Sequence, residues 1–194
     1  AALAEHAGEP DPPALQLDVM EAVAARAAAN PVLAARAKAL ATLATAKTRT
    51  ELLEGGSVAA GQAIVANHLN ANCLACHSIT PGGSEVGPNL RTVGAQNSRA
   101  YLLESLLEPA AKIATGFGLV GVTLRDGTQL TGTLAGETPA AVTVRLLDGV
   151  RKTIPREQIA AQTTPVSVMP PMGAILQPRE IRDVVAYLSS LKGG

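Results

Sequence analysis

The sequence contains very few aromatic residues. Phe, Trp and Tyr together make up 2% of its 194 residues, and Trp is absent. Hydrophobic residues still account for 47% of the chain, and many of them are alanine. The chain is long enough for one domain with additions or for two small domains, so something other than aromatic side chains must fill its centre.

An excess of charge of one sign is also lacking, because 16 Lys and Arg balance 16 Asp and Glu. A neutral chain gives no reason to expect binding to nucleic acid or to an anionic membrane. No run approaches the roughly 18 apolar residues of a membrane span, so we expect none in this chain. The N-terminus lacks the residue order of a secretory signal, which is compatible with a signal that has been removed.

Cysteine is scarce as well, since the chain has only two, both in the run Cys73-Leu74-Ala75-Cys76-His77. Two thiols separated by two residues can each form a thioether to a porphyrin vinyl group, and the adjacent histidine then lies beneath the iron. The run therefore predicts one covalently bound haem c with His77 as an iron ligand. A buried porphyrin would also fill a core that lacks aromatic side chains.

The two cysteines allow three other interpretations. Structural zinc needs four Cys or His ligands in paired clusters, and His6 and His68 have no such spacing. A thioredoxin-like redox pair belongs beside a βαβ pattern, whereas helical patterns flank this motif. A plain structural disulfide is the third.

Helical patterns occupy most of the chain outside one central region. Residues 1–15 are rich in Pro and predict a flexible leader. Residues 16–56 carry apolar residues at helical spacing around Asn30-Pro31, which predicts a repeat-like helical hairpin. The other expected helices run from Ser57 to about Asn70, from Ser98 to Glu108, and from Pro178 towards the C-terminus.

The hydrophobic period changes to two between about residues 118 and 164. Asp126-Gly127 and Asp148-Gly149 are hairpin turn signals within this region. Four or five short strands are therefore expected, and they predict a small antiparallel module that is either barrel-like or a curled sheet.

The sixth position on the iron needs a ligand from elsewhere in the chain. Met169 lies in the loop-like segment 167–170 ahead of the last helix, and a loop can carry sulfur across the open haem face. Met172 is the reserve candidate because the same loop could present it. Met20 is expected to be core filler in the hairpin, and His68 an exposed or hydrogen-bonded side chain.

Several motifs are found together in one order along the chain. They are Gly61 in a first helix, the run Cys73 to His77, Gly87-Pro88-Asn89-Leu90, Met169-Pro170, and Val185-Ala186-Tyr187-Leu188 in the last helix. This set resembles the class I cytochrome c domain. The resemblance implies that Gly61 lets the first helix cross the last one closely, near Tyr187. It usually places an aromatic residue where Val65 stands, so this crossing should be less well filled.

The resemblance also implies a set of haem contacts. The Pro88 carbonyl would accept a hydrogen bond from the second ring nitrogen of His77 and so fix its tautomer. Leu90 would pack on the ring, with Asn89 in the same run. Arg91 is a candidate partner for a haem propionate, and a solvated arginine is the alternative.

The β pattern is a departure from ordinary members, in which a short loop joins the helix ending near Pro109 to the ligand methionine. From about Ala60 to Leu191 the arrangement is similar to a haem-binding domain of planctomycete and verrucomicrobial proteins, which often ends a much larger chain. The predicted fold is therefore α+β. It is a mainly helical cytochrome c fold over residues 57–194, with the barrel-like β insertion at about 118–164 before the methionine loop.

The expected function is one-electron transfer by a monohaem cytochrome, in the bacterial periplasm or otherwise exported, rather than catalysis by the chain itself. Redox proteins are the expected partners, and a periplasmic dehydrogenase is one option. The alternatives are a peroxidase-like haem enzyme and a haem sensor with an exchangeable sixth ligand. The β insertion either shields the haem and braces the methionine loop or docks a partner through basic residues: Arg125, Arg145, Arg151, Lys152 and Arg156.

Overall fold

A computed structural model describes residues 12–45, 49–82 and 86–193. In these residues the fold is α+β, as predicted, with six α-helices and one five-stranded antiparallel sheet. The helices are α1 (Gln16–Arg26), α2 (Pro31–Thr45), α3 (Val58–Asn67), α4 (Val93–Gln96), α5 (Arg99–Leu107) and α6 (Pro178–Ser190). The strands are β1 (Leu119–Leu124), β2 (Gln129–Glu137), β3 (Ala141–Leu146), β4 (Arg151–Pro155) and β5 (Ile159–Gln162).

The N-terminal hairpin consists of α1 and α2. Asn30 caps α2, because its side-chain oxygen accepts hydrogen bonds from the backbone amides of Val32 at 2.9 Å and Leu33 at 3.3 Å, which satisfies donors that a helix start leaves unpaired. Most of the predicted leader, residues 1–11, lies outside the described residues. Its last three residues, Pro13–Leu15, form a 3-10 turn that continues into α1.

The central feature of the helical part is the crossing of α3 and α6. Ser57 starts α3 by accepting a hydrogen bond from the Ala60 amide at 3.2 Å. Gly61 then faces α6 so closely that a Cβ at this position would lie 2.0 Å from the backbone oxygen of Asp183 and 2.7 Å from Cβ of Tyr187. Only glycine allows this approach, and the predicted role of Gly61 is confirmed.

One hydrophobic core unites the helices. Its buried residues come from α1, α3, α5 and α6, from the 3-10 turn Thr50–Leu52 and from the segment just before α6, and α6 contributes the most. Val65 belongs to this core and is 3% exposed. Burial of apolar surface stabilises such a cluster by about 25 cal/mol per Å², and it fixes α6 against the start of the domain.

The hairpin docks on α6 through charged residues. Arg182 is buried and donates a hydrogen bond from Nη1 to Oδ2 of Asp18 at 2.7 Å. Arg179 lies 2.8 Å from Oδ1 of the same carboxylate. The hydrogen bond from Arg182, and the charges of both arginines, hold the pKa of Asp18 below its ordinary value.

The sheet is open, with strand order β4-β3-β2-β1-β5. Both predicted hairpin turns are present, and Gly127 and Gly149 adopt the positive φ that such turns require, 87° and 84°. The predicted closure into a barrel is not found, because β5 pairs with β1 and leaves β4 and β5 as the two edges. A closed barrel would need those edges to pair.

The sheet has a hydrophobic core of its own. Its inner face buries Val120, Val122, Leu124, Val142, Val144 and Ile154, and its strands pack chiefly on one another. At its base, Leu119 and Val166 form an isolated antiparallel bridge, with hydrogen bonds of 2.9 and 3.0 Å. The chain therefore enters and leaves this β module side by side and continues directly to Met169.

Candidate haem-attachment site

The two cysteines lie on a tight turn immediately after α3. The helix ends at Asn67, and Asn72 adopts a left-handed conformation, with φ of 38°, that Asn tolerates better than most residues. A 3-10 turn over Cys73–Ala75 follows, and the amide of His77 donates to the carbonyl of Cys73 at 2.9 Å. This turn brings both thiols and the imidazole to one short stretch of backbone.

The ring of His77 is held by the segment that follows the loop. Its Nδ1 lies 2.8 Å from the Pro88 carbonyl oxygen, which is the contact expected from the sequence. Because a carbonyl oxygen only accepts, Nδ1 carries the proton and Nε2 keeps a lone pair. That is the tautomer of an imidazole ready to bind a metal through Nε2.

Two further hydrogen bonds tie the same segment to the attachment turn. The Leu90 amide donates to the Ser78 carbonyl at 2.7 Å, and Nδ2 of Asn89 donates to the Thr80 carbonyl at 2.7 Å. Asn89 thus holds the backbone at Thr80, a role that the sequence motif did not predict. The hydrogen bonds of this segment therefore restrict the orientation of the His77 ring.

Gly87 contacts the imidazole most closely. A Cβ on this residue would lie 2.8 Å from Cε1 of His77 and 2.9 Å from both Nδ1 of His77 and the Cys76 carbonyl oxygen. The motif Gly87-Pro88-Asn89-Leu90 contains this glycine, but the sequence alone did not indicate its contact with His77. The only sequence feature that could have indicated the contact is the position of Gly87 directly before Pro88.

Both cysteines are free thiols and half-buried. Burial raises the pKa of the Cys73 thiol above its ordinary value. A redox-active or metal-binding cysteine depends instead on a depressed pKa and a stable thiolate. Within residues 12–45, 49–82 and 86–193, no group of three or more His, Cys, Asp and Glu side chains is arranged to hold a metal ion.

Residues 58–132 match the family model Cytochrome c. No curated protein matches the chain. The match supports a haem-binding c-type cytochrome, and it includes Cys73, Cys76, His77 and the Pro88 segment.

The cytochrome c match ends within β2, so the terminal helix and both candidate methionines lie beyond it. Both methionines contact the helical core, although in different ways. Met169 packs on the same helical core as Cys73 and Leu90, and all three remain half-exposed. The Met169 amide donates to Oγ of Ser167 at 3.1 Å, which orders the loop.

Met172 occupies a different environment. It is 4% exposed and forms part of the helical core itself. Met20, on α1, is half-buried in the hairpin, and Nδ1 of His68 accepts a hydrogen bond from the Ala71 amide at 3.1 Å. His68 is therefore a hydrogen-bonded residue at the end of α3, as expected, while His6 lies outside the described residues.

The residues present fit a haem c. Two unpaired thiols precede an imidazole whose Nδ1 contacts a backbone carbonyl, and the half-exposed apolar side chains of Leu90 and Met169 pack on the same helical core as Cys73. Haem c needs this donor set: two thiols for its vinyl groups and a nitrogen for its iron. The family match implies the same cofactor.

Arg91 and the basic residues of the β module complete the predicted set. Arg91 donates from Nη2 to the Gly193 carbonyl at 3.2 Å, so its guanidinium lies beside the C-terminal segment. Arg125 donates to the Glu157 carbonyl at 2.6 Å, and Arg156 bonds to the carboxylate of Glu137.

The five basic residues do not form one patch. Arg145 and Arg151 are directly opposite each other on β3 and β4, and Lys152, the next residue, points to the other face of the sheet. The structure therefore divides the set that the sequence suggested as a docking surface.

The sequence did not indicate the structural roles of two residues, Gly94 and Arg99. Gly94, the second residue of α4, lies against α6, where a Cβ would lie 2.4 Å from the Ser189 carbonyl oxygen. Arg99 donates to the carbonyls of Leu53 and Gly55 and so joins α5 to the end of the hairpin. Neither has a local signature, because both roles depend on contacts distant in sequence.

No helix in the described part of the chain is long and apolar enough to cross a bilayer.

Proposed function

We propose that this protein is a monohaem c-type cytochrome that transfers one electron at a time. Haem c is bound through thioethers to Cys73 and Cys76, with His77 and Met169 as the axial ligands. The observation that carries the proposal is the 2.8 Å contact between Nδ1 of His77 and the Pro88 carbonyl, directly after two free thiols and within the cytochrome c match.

The chain's own residues hold the proximal ligand. Pro88 fixes the His77 tautomer and increases the basicity of Nε2. Gly87 leaves the space in which the ring lies, and Asn89 and Leu90 bind the segment to the attachment turn. Together these contacts hold the imidazole in one orientation.

Met169 is the distal ligand in this proposal, and Met172 is not. A sulfur that binds iron must reach the haem face, and Met169 is half-exposed and packs on the same helical core as Cys73 and Leu90. Met172 is enclosed by the helical core and would have to leave it. Ser167 holds the loop that presents Met169.

His and Met ligation leaves no open coordination position, and haem c so ligated cycles between its ferric and ferrous states. The remaining tasks belong to the chain, which excludes water from the ligands and keeps their geometry constant in both states. The proposed location is the bacterial periplasm or another exported compartment, where haem of this type is attached. Service to a dehydrogenase is part of the same proposal, as is a propionate contact from Arg91.

The first test is the pyridine haemochrome spectrum of the matured protein, together with its intact mass. We expect one haem with two thioether bonds, and Cys73→Ser and Cys76→Ser should each leave one. A colourless protein, or one that holds zinc between its thiolates, would refute the proposal.

The second test compares two methionine variants. In Met169→Ala the far-red charge-transfer band of the ferric protein should disappear, with little change in the free energy of unfolding beyond the lost iron bond. Met172→Ala should keep the band and lose about 2–5 kcal/mol of stability, because it leaves a cavity in the core. Loss of the band in Met172→Ala alone would make Met172 the ligand. Rapid carbon monoxide binding by the reduced wild-type protein would favour the enzyme or sensor alternatives instead.

A further inference from the structure

Strand β4 forms one edge of the sheet. Among the residues that the structure describes, β4 pairs only with β3. Its first three residues, 151–153, are exposed. The open edge of a sheet carries backbone donors and acceptors that can pair with another strand, so β4 can accept one.

The register of the β3–β4 hairpin shows which backbone groups face the open edge. The Leu146 amide donates to the Val150 carbonyl at 2.9 Å. Hydrogen-bonded and non-hydrogen-bonded pairs alternate along an antiparallel ladder, so Arg151 and Thr153 occupy non-hydrogen-bonded positions. The side chains of such pairs lie close together, and Oγ1 of Thr153 is 3.0 Å from Oγ1 of Thr143. The amides and carbonyls of Arg151 and Thr153 therefore point away from β3.

Two consecutive basic side chains of β4 lie on opposite faces of the sheet. Lys152 is opposite the buried Val144 and so belongs to the inner face, whereas Arg151 is opposite Arg145 on the outer face. A flat partner, such as a lipid surface, contacts only one of these faces. A strand added beside β4 lies in the plane of the sheet and presents side chains to both. The positions of the two charges therefore favour a strand as the partner.

The charge of this edge selects the kind of strand. Like charges that meet across two strands are destabilising, and opposite charges stabilise the pair. The β4 strand of a second copy brings the same two cations and is disfavoured, whereas acidic residues beside Arg151 and Lys152 form favourable pairs. Val150, directly before β4, is 55% exposed and offers an apolar contact at one end of the edge.

We propose that β4 binds an extended acidic segment of a partner protein by strand addition. Carboxylates lie beside Arg151 and Lys152, and an apolar side chain lies beside Val150. The outward backbone groups of Arg151 and Thr153 supply the main-chain hydrogen bonds, which give affinity in this mode of recognition, while the alternating side chains give specificity. This binding site goes beyond the proposed haem function, because it lies in the β module, which has its own core.

A synthetic peptide that contains Val-Thr-Glu-Glu-Val tests the proposal on the holoprotein. Paired antiparallel to β4, its glutamates face Lys152 and Arg151, and its last valine lies beside Val150. Fluorescence anisotropy of the labelled peptide should show saturable binding that weakens at least about fivefold between about 10 mM and 0.5 M salt, because salt screens the charge pairs. Hydrogen exchange should show new protection of the Arg151 and Thr153 amides and no change at Lys152, whose amide already faces β3.

Matched variants locate the contact. Lys152→Glu should weaken peptide binding about tenfold at low salt, because it replaces an attraction with a repulsion. Lys38→Glu makes the same change of charge at an exposed position on α2 and should alter binding less than about twofold, since surface charges far from the contact are screened.

Two control peptides separate charge from backbone pairing. Glutamine in place of both glutamates removes the charge and should weaken binding about fivefold at low salt. N-methylation of the second glutamate keeps the charge and removes the donor to the Arg151 carbonyl, so it should abolish the protection of the β4 amides.

Four results would overturn the proposal. They are the absence of saturable peptide binding at low salt, an equal effect of Lys152→Glu and Lys38→Glu, binding without protection of the Arg151 and Thr153 amides, and self-association through β4. Analytical ultracentrifugation detects the last as a concentration-dependent mass that the peptide reverses. The haemochrome spectrum reports on the haem function separately, because it should be the same in every variant.

Discussion

The position of His77, the proposed proximal ligand, depends on a residue that has no side chain. Gly87 borders both the imidazole of His77 and the carbonyl of Cys76 at distances that a methyl group would violate. Neither neighbour can give way easily, because one is backbone and the other is held by Pro88. The position of the His77 ring therefore depends on the absence of a side chain at residue 87 as well as on the hydrogen bond to Pro88.

Gly87→Ala should therefore displace the His77 ring. We expect the variant to lose about 1–3 kcal/mol of stability, as overpacked sites do, and to show a shifted midpoint potential, since the contact with Pro88 sets the basicity of the ligand. Redox titration and urea denaturation of the holoprotein measure both effects.

Gly136→Ala is the control for this variant, because a Cβ at Gly136 would meet only Thr143 at 4.0 Å. It should leave the potential unchanged. An unchanged potential in Gly87→Ala as well would show that the ring accommodates the methyl group and that excluded volume does not position it.

At the scale of elements, α6 organises the helical part of the molecule. It crosses α3 at Gly61, approaches α4 at Gly94 and receives the hairpin through Arg182. Because the helix lies beyond the methionine loop in sequence, its packing also fixes where that loop ends.

Gly61→Ala tests the α3–α6 crossing. Alanine favours a helix by about 1 kcal/mol over glycine, yet its Cβ would lie 2.0 Å from the Asp183 oxygen. We expect a net loss of about 3 kcal/mol, at the upper end for overpacking, measured by urea denaturation. Gln62→Ala, on the exposed neighbour of the same helix, should change stability by less than about 0.5 kcal/mol. A stabilised Gly61→Ala variant would contradict the close crossing.

The docking of the hairpin on α6 should depend on pH. The folded pKa of Asp18 is depressed by the Arg182 hydrogen bond, so its contribution is present above the unfolded pKa of about 3.9 and is lost as the pH falls through the lower, folded value. Asp18→Asn should cost up to about 1 kcal/mol near neutral pH, since the carboxylate is partly exposed.

Unfolding free energies of the wild-type protein and Asp18→Asn, measured from pH 7 downwards, should begin to converge near pH 3.9 and meet below the lower, folded pKa of Asp18. Glu21→Gln is the control, because Glu21 pairs with the exposed Arg179 and such pairs contribute little. A difference that stays constant through the acid range would show that the carboxylate charge is not what binds Arg182.

At the scale of the whole molecule, two hydrophobic cores are separate. The helical core and the inner face of the β module share no buried residue, and the module joins the rest of the chain at the bridge between Leu119 and Val166. We therefore expect the sheet to open without disturbing the helical core.

Val142→Ala, at a position with 0% exposure in the β core, should lower the hydrogen-exchange protection of the strand amides by about 2–3 kcal/mol. Amides of α6 and the far-red band should be unaffected. Val185→Ala, equally buried in the helical core, should show the reverse pattern. Equal loss of protection in both regions would mean that the two cores unfold as one unit.

Some of these features follow from short stretches of sequence. The caps at Asn30, Ser57 and Ser98 and the turns at Gly127 and Gly149 are local, because each is decided by hydrogen bonds or backbone angles within a few residues. The attachment turn is local in the same sense. Its chemistry requires two thiols and an imidazole within five consecutive residues, and that requirement is visible in the sequence.

Other features depend on contacts that sequence spacing does not encode. The barrel-like form of the β module was not confirmed, because the pairing of β5 with β1 is a choice between strand edges that look alike in sequence. The basic residues of the β module were expected to converge, but strand register sends neighbouring side chains to opposite faces. The roles of Gly94 and Arg99 were missed because their partners come from other elements.

The sequence by itself determined the chemistry that is available: two thiols and a histidine on one turn, and a methionine loop before the last helix. Only the tertiary structure decided which methionine is enclosed by the core, how His77 is oriented and whether the sheet closes. The physical reason is that covalent and local hydrogen-bonding requirements act over a few residues, whereas burial and close packing are set by segments that meet only after the chain has folded.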